Sequence, residues 1–189
     1  MAAQPDLGAA LLALAREAIL DAFAGTSHAR SGMPALSAEG ATFVTLRRTG
    51  DLRGCIGTVN AWRPLEDDVR ANAVAAAFHD PRFEPLSRSE FADTSIEVSL
   101  LGPREAIVAA DEAAVVARLR PGVDGVVLEC GRRRATFLPQ VWEQLPDSRT
   151  FLSALKQKAG LAADFWSPEI RVSRYEVEKF VDEEVRLTP

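Results

Sequence analysis

The chain has 189 residues, 47% of them hydrophobic and 26% charged, with a formal net charge of -5. That length holds one well-buried core, or a main domain with a small second lobe, rather than two full domains, and the composition excludes disordered and fibrous classes. The negative balance offers no general attraction to nucleic-acid backbones, and the one basic cluster, Arg132-Arg133-Arg134, reads as a solvated turn.

In chain order, residues 6 to 24 place Leu7, Leu11, Leu14, Ala18 and Ala22 at helical spacing behind Asp6 as an N-cap, which predicts an amphipathic helix. Gly25 to Ser37 reads as a loop. "ATFVTLRRTGDLRGCIGTV" predicts two strands joined by a tight turn at Thr49-Gly50-Asp51. Pro64 opens a helix, "PLEDDVRANAVAAAFHD", whose stripe of Leu65, Val69, Ala73 and Ala76 brings Asn72 onto or beside the buried face. This helix stops before Asp80-Pro81, because a residue preceding proline is pushed out of helical geometry, and "DPRFEPL", with Arg82, is irregular.

"TSIEVSLL", residues 94 to 101, alternates, with Ile96, Val98 and Leu100 on one face and Ser95, Glu97 and Ser99 on the other. "DEAAVVARLR" reads as a short helix, "GVDGVVLECGRRRATFL" as a second hairpin turning near Gly131, and "PQVWEQL" and "SRTFLSALKQKAG" as two short helices. "EIRVSRYEVEKFVDE" closes the chain as one late strand. Hairpins in place of regular βαβ alternation predict an α+β fold: a mostly antiparallel or mixed sheet with flanking helices, plus a smaller α/β lobe. The whole of residues 1–189 is read as a single domain whose lobe boundary the sequence does not fix.

No apolar run reaches the length of a membrane span, and the amino terminus lacks a basic leader followed by a cleavage site, so the reading is a cytoplasmic protein. In that compartment Cys55 and Cys130 are free thiols. With His28 and His79 they stand at no metal-ligand spacing, so no metal site and no cofactor are expected.

The chemistry concentrates in "DLRGCIGTVN". Glycines weaken a strand and mark a bulge or a close approach, so Gly54 and Gly57 suggest space kept open around Cys55. In a regular strand Arg53, Cys55 and Gly57 share one side. If the 94–101 strand is its neighbour, Arg53, Cys55, Glu97 and Ser99 line one face, with Asn72 on a helix able to cover it. A thiolate is the nucleophile, and an adjacent arginine favours it. Glu97 then serves as general base or simply neutralises Arg53 across the sheet. His79, just past the Asn72 helix, is the only nearby histidine, either an activator of the thiol or a solvated residue at a helix end. The bland alternatives stand beside these: Cys55 as a small buried hydrophobe, as Cys130 is read from its alternation with Val126 and Leu128, and Asn72 as a partner for backbone groups.

Taken together, "ATFVTLRRTGDLRGCIGT", "AVAAAFHDPRF", "IEVSLL", "RPGVDGVVLE", "RRATFLPQVWEQLP" and "FLSALKQKAGLAADFW" resemble the AMMECR domain family, also called protein A of the AmmeMemoRadiSam system, from about Gly40 to Phe180. The "LRGCIG" signature is matched at Leu52, Arg53, Gly54, Cys55, Ile56 and Gly57; His79 belongs to no family motif. The resemblance implies an α+β domain with a smaller lobe and a cleft near the signature, and a place beside a Memo-like protein and a radical S-adenosylmethionine protein. The function expected is a thiol-dependent enzyme acting on a small molecule or modified group. Its catalytic candidates are Cys55, Arg53 and Glu97, and its binding candidates Gly54, Gly57, Asn72, His79, Arg82 and Ser99. The alternative is a non-catalytic binding or scaffold module for those partners; no nucleic acid and no membrane are expected.

Overall fold

The computed structural model describes residues 6–27 and 29–182, so His28 lies outside the described residues. Two compact units divide the chain: one runs to Leu101 and takes up the chain again at Glu178, and the other is Gly102–Val177. No helix among the described residues is long and apolar enough to cross a membrane.

The first unit opens with α1 (Leu7–Ala24), capped by the Asp6 carboxylate accepting from the Gly8 amide and ended by Gly25 at φ 68°. A single turn, α2 (Pro34–Ser37), forms inside the stretch expected as a loop, with Pro34 at its first position. Short strands β1 (Glu39–Gly40) and β4 (Arg63–Pro64) pair with each other. Between them run β2 (Thr42–Arg48) and β3 (Asp51–Gly57), joined by a turn in which Thr49 and Gly50 both have positive φ, 50° and 89°. That backbone matches the right-handed twist of a hairpin.

Helix α3 (Leu65–Phe78) carries Glu66, Asp67 and Asp68 in its first turn, where the macrodipole favours them. A helix absent from the sequence reading, α4 (Arg88–Ala92), follows on a capping box of Ser87 and Glu90. Strand β5 (Thr94–Leu101) alternates as expected.

In the second unit β6 (Glu105–Ala106), α5 (Glu112–Val116), β7 (Gly125–Cys130) and β8 (Arg133–Phe137) precede a 3-10 turn at Pro139–Glu143 and α6 (Ser148–Lys158). The segment expected as one late strand is two. β9 (Arg171–Tyr175) pairs with β7 in the second unit, and β10 (Val177–Val181) lies beside β5 in the first. The two sheets have strand orders β10-β5-β2-β3 and β6-β9-β7-β8, and the fold is α+β. Adjoining β2–β3, β2–β5, β7–β8 and β7–β9 pairs are antiparallel.

Each unit has its own core. In the first, Leu11, Leu14 and Ile19 of α1 and Val69, Ala73 and Ala76 of α3 meet Val44, Leu46, Ile96 and Val98 of the sheet. The alanines let α3 lie close against the strands. In the second, Val126 and Leu128 pack against Phe151, Leu152 and Leu155 of α6, and Trp142 stacks on Phe151 with centroids 3.7 Å apart. Trp142 and Phe151 are core. Within this unit Lys156 is fully buried and ion-paired with Glu112 at 2.8 Å.

Candidate functional site

Cys55 sits on β3, the edge strand of the first sheet, half-buried and reduced. Strand periodicity divides the sheet by parity. Thr42, Val44, Leu46, Gly54, Ile56 and Thr58 face α3, while Phe43, Thr45, Cys55 and Gly57 face the other way. β2 lies between β3 and β5, so the two strands that the sequence reading took as possible neighbours are separated. Register still aligns their side chains: Cys55 pairs with Thr45, and Thr45 with Glu97. The row continues to Lys179, which pairs with Glu97 at 3.1 Å. Ser99, opposite Phe43, belongs to the same face and is buried.

The sulfur's hydrogen-bond partner is a residue that the sequence reading did not single out. Thr45 Oγ1 donates to Cys55 Sγ at 3.3 Å. A hydroxyl donating to sulfur offers stabilisation to negative charge that develops there in a reaction.

The backbone of Cys55 is gripped from the open side of the strand. Its N–H donates to Asp80 Oδ2 at 2.9 Å, and its carbonyl accepts from Arg82 Nη2 at 3.3 Å. Asp80 and Arg82 thus stand where a further strand would supply its carbonyl and amide, and they blunt the edge. Asp80 is 4% exposed and holds Arg82 through Nε–Oδ1 and Nη2–Oδ2 bonds of 3.0 and 2.7 Å. The Arg82 hydrogen bonds, followed by the Cys55 and Arg82 amides, hold the Asp80 carboxyl far below the ordinary carboxylate range. Arg82 is made more basic by its hydrogen bonds to Asp80 and by the charge of that carboxylate. The local cause is an Asp whose short side chain bonds the amide two residues on, Arg82 N to Asp80 Oδ1 at 3.1 Å, and this was the available sequence signal in "DPRF".

Arg53 is placed differently from the expectation. Leu46 pairs with Gly54 and Arg47 with Leu52, so Arg53 is the extra residue of a bulge. Its guanidinium leaves the sheet face and reaches the Glu84 carbonyl at 2.9 Å and both Glu90 carboxylate oxygens at 3.3 Å. Glu90 is lowered to about 2, first by the Ser87 amide and then by Arg53. Arg53 therefore pairs with Glu90, and Glu97 with Lys179, in place of the expected Arg53–Glu97 contact. Phe83 lies between the two arginines, its centroid 5.8 Å from Arg53 and 5.4 Å from Arg82.

The glycines admit protein rather than open space. A Cβ on Gly54 would lie 2.1 Å from the Ala76 carbonyl oxygen, and one on Gly57 would lie 2.2 Å from the Phe43 ring. Gly54 is what lets α3 touch the sheet.

Asn72 lies on the α3 side, opposite Cys55. Its amide donates to Thr42 O and Asp68 Oδ2, both at 2.9 Å, and its carbonyl accepts from Thr58 at 3.3 Å. Asp68, fully buried, also takes the Thr42 amide and Arg63 Nε at 2.8 and 2.9 Å. This cluster pins the strand ends to the helix and does not reach the thiol. His79 ends α3, its amide donating to Ala75 O at 2.9 Å, and is exposed. A cleft of ≈660 Å³ opens at the β2–β3 turn, lined in part by Arg47, Arg48, Leu52, Arg53 and Asp93; its lining does not include Cys55. Among the described residues no group of His, Cys, Asp and Glu is arranged to hold a metal ion.

The AMMECR1 family model matches residues 12–180. A protein of Sulfolobus acidocaldarius is 38% identical over 97% of this chain and 88% of its own length. One of Methanothermobacter thermautotrophicus is 38% identical over 93% of this chain and 94% of its own. The crystal structure of the uncharacterized protein PH0010 from Pyrococcus horikoshii superposes with a TM-score of 0.83 at 32% identity, covering 95% of this chain and 93% of that one.

Proposed function

The chain belongs to the AMMECR1 family, and from that premise we propose that it is a thiol-dependent enzyme in which Cys55 attacks a small molecule or modified group beside the hairpin. The observation that carries this reading is the Thr45 hydroxyl directed at the Cys55 sulfur at 3.3 Å. Three features support it. The Asp80 carboxylate fixes the cysteine amide, the Arg82 guanidinium holds the Cys55 carbonyl at 3.3 Å, and the Glu97–Lys179 pair continues the polar row. In this scheme the thiolate sulfur bonds to an electrophilic carbon and the leaving group departs with its electron pair. Thr45 stabilises the anion, and the thiol proton leaves to solvent at the half-buried sulfur, because β2 separates Cys55 from Glu97. Arg53 is a positioning residue that ties β3 to α4.

The test is the rate of alkylation at Cys55 and Cys130, followed separately by peptide mass spectrometry in the wild type and in Thr45→Val. The reading expects Cys55 to be alkylated several-fold faster near neutral pH than in the urea-unfolded chain, and Thr45→Val to slow it. A Cys55 that reacts no faster than in the unfolded chain, and equally in both proteins, overturns it.

A second reading, a docking module for a Memo-like and a radical S-adenosylmethionine protein, draws its partners from the family resemblance and its surface from Trp62. This side chain is 64% exposed and lies 5.0 Å from the Arg63 guanidinium; exposed tryptophan and arginine are the residue types that anchor interfaces. Co-elution of the purified proteins, lost in Trp62→Ala, supports that reading, and separate elution removes it.

A further inference from the structure

Arg82 stands beside Cys55 with part of its guanidinium uncommitted. Nε and Nη2 are used on Asp80 and on the Cys55 carbonyl. Nη1, with two N–H bonds, has no protein acceptor among the described residues, and the side chain is 53% exposed. An exposed arginine ordinarily loses rotamer freedom when it binds a ligand. Here the buried Asp80 carboxylate and the Phe83 ring hold the fork in advance, so that cost has been met by folding. Arg53 offers no such edge, since its side chain is 14% exposed and is engaged by Glu90 and the Glu84 carbonyl.

Resting on the reading of Cys55 as a nucleophile, we propose that the site takes small electrophiles bearing an oxyanion, with a carboxylate as the simplest case, and that Arg82 holds that oxyanion through Nη1. A fixed, always-charged N–H donor suits a carboxylate or phosphate oxygen better than any neutral group.

Iodoacetate and iodoacetamide are matched probes of this geometry, one anionic and one neutral. With either, the sulfur–carbon bond forms, the carbon–iodine bond breaks and iodide leaves. Second-order rate constants for Cys55 are measured in the full chain by peptide mass spectrometry near neutral pH. The iodoacetate-to-iodoacetamide ratio cancels the thiolate fraction. The expected ratio at Cys55 is about tenfold above that at Cys130 and above that of Cys55 in the urea-unfolded chain, the scale of one charge-assisted hydrogen bond. Arg82→Gln brings it to the unfolded value, while Arg82→Lys, which keeps the charge, retains part. Acetate protects Cys55 from iodoacetamide in the wild type, a measurement that stands even where the Gln variant does not fold.

A fast iodoacetamide reaction with an unremarkable ratio and no acetate protection overturns the oxyanion assignment and leaves the nucleophile standing. A raised ratio that survives Arg82→Gln overturns the role of Arg82. A Cys55 slower than in the unfolded chain toward both reagents removes the nucleophile itself, and this proposal with it.

Discussion

The two cysteines stand at comparable depth in two four-stranded sheets, each next to a hairpin, yet their surroundings differ in kind. Cys130 ends β7, paired with Arg133 of β8 one residue beyond the last β9 partner, and its side chain shares the face of Val126 and Leu128, which pack on α6. Cys55 occupies an edge strand, faces away from the helices, and has a hydroxyl at its sulfur and a clasp on its backbone. An edge strand leaves alternate N–H and C=O groups free of the sheet, so other parts of the chain can bond to them and orient the residue. Among the described residues Cys130 has no such clasp, and what surrounds its side chain is the packed face of β7. The same residue type thus becomes packing in one sheet and a candidate reactive group in the other.

Gly54→Ala breaks the frame behind Cys55 and has the largest effect. Its Cβ meets backbone rather than a flexible side chain, so α3 has to move, and a loss of about 3 kcal/mol in denaturant unfolding is expected. Gly131, with nothing near its added Cβ and a φ of 58°, is the contrasting position; Gly131→Asn is expected to cost under about 1 kcal/mol.

Asp80→Ala strikes the clasp. It leaves the Cys55 amide without its acceptor and Arg82 without its carboxylate, and about 2 kcal/mol is expected, discounted because Arg82 is half exposed. Alkylation of Cys55, but not of Cys130, changes with it.

Acid titration sharpens the comparison further. Asp80 and Glu90 both have folded-state values below their unfolded ones, Glu90 at about 2. Their stabilisation is therefore complete above about pH 5 and is lost as the pH falls from there toward 2. Urea unfolding between pH 5 and 2 is expected to show this slope, flattened in Asp80→Asn and Glu90→Gln.

Smallest in stability is Thr45→Val, which preserves shape and removes one donor. It is expected to slow Cys55 alkylation several-fold near neutral pH, to leave Cys130 untouched, and to change the unfolding midpoint little.

The sequence by itself determined the elements whose signal is local. Helix α1 with its Asp6 cap, the β2–β3 and β7–β8 hairpins and the alternation of β5 follow from spacing and turn chemistry within a few residues. The polar row containing Cys55 and Glu97 was legible for the same reason, because parity along a strand is local. Even α4, which the reading passed over, is written as Ser87 and Glu90 three residues apart.

Only the tertiary structure decided which strands became neighbours and which charges met. β2 came to lie between β3 and β5, β9 and β10 went to different sheets, and Asn72 took the face opposite the thiol. Arg53 was re-aimed by a one-residue bulge toward Glu90, while Asp80, 25 positions along, reached the Cys55 amide. Such pairings are fixed by the packing of α3 against Gly54 and by which strand is left at an edge. Both arise from contacts between segments far apart in the chain, which periodicity within a segment does not record.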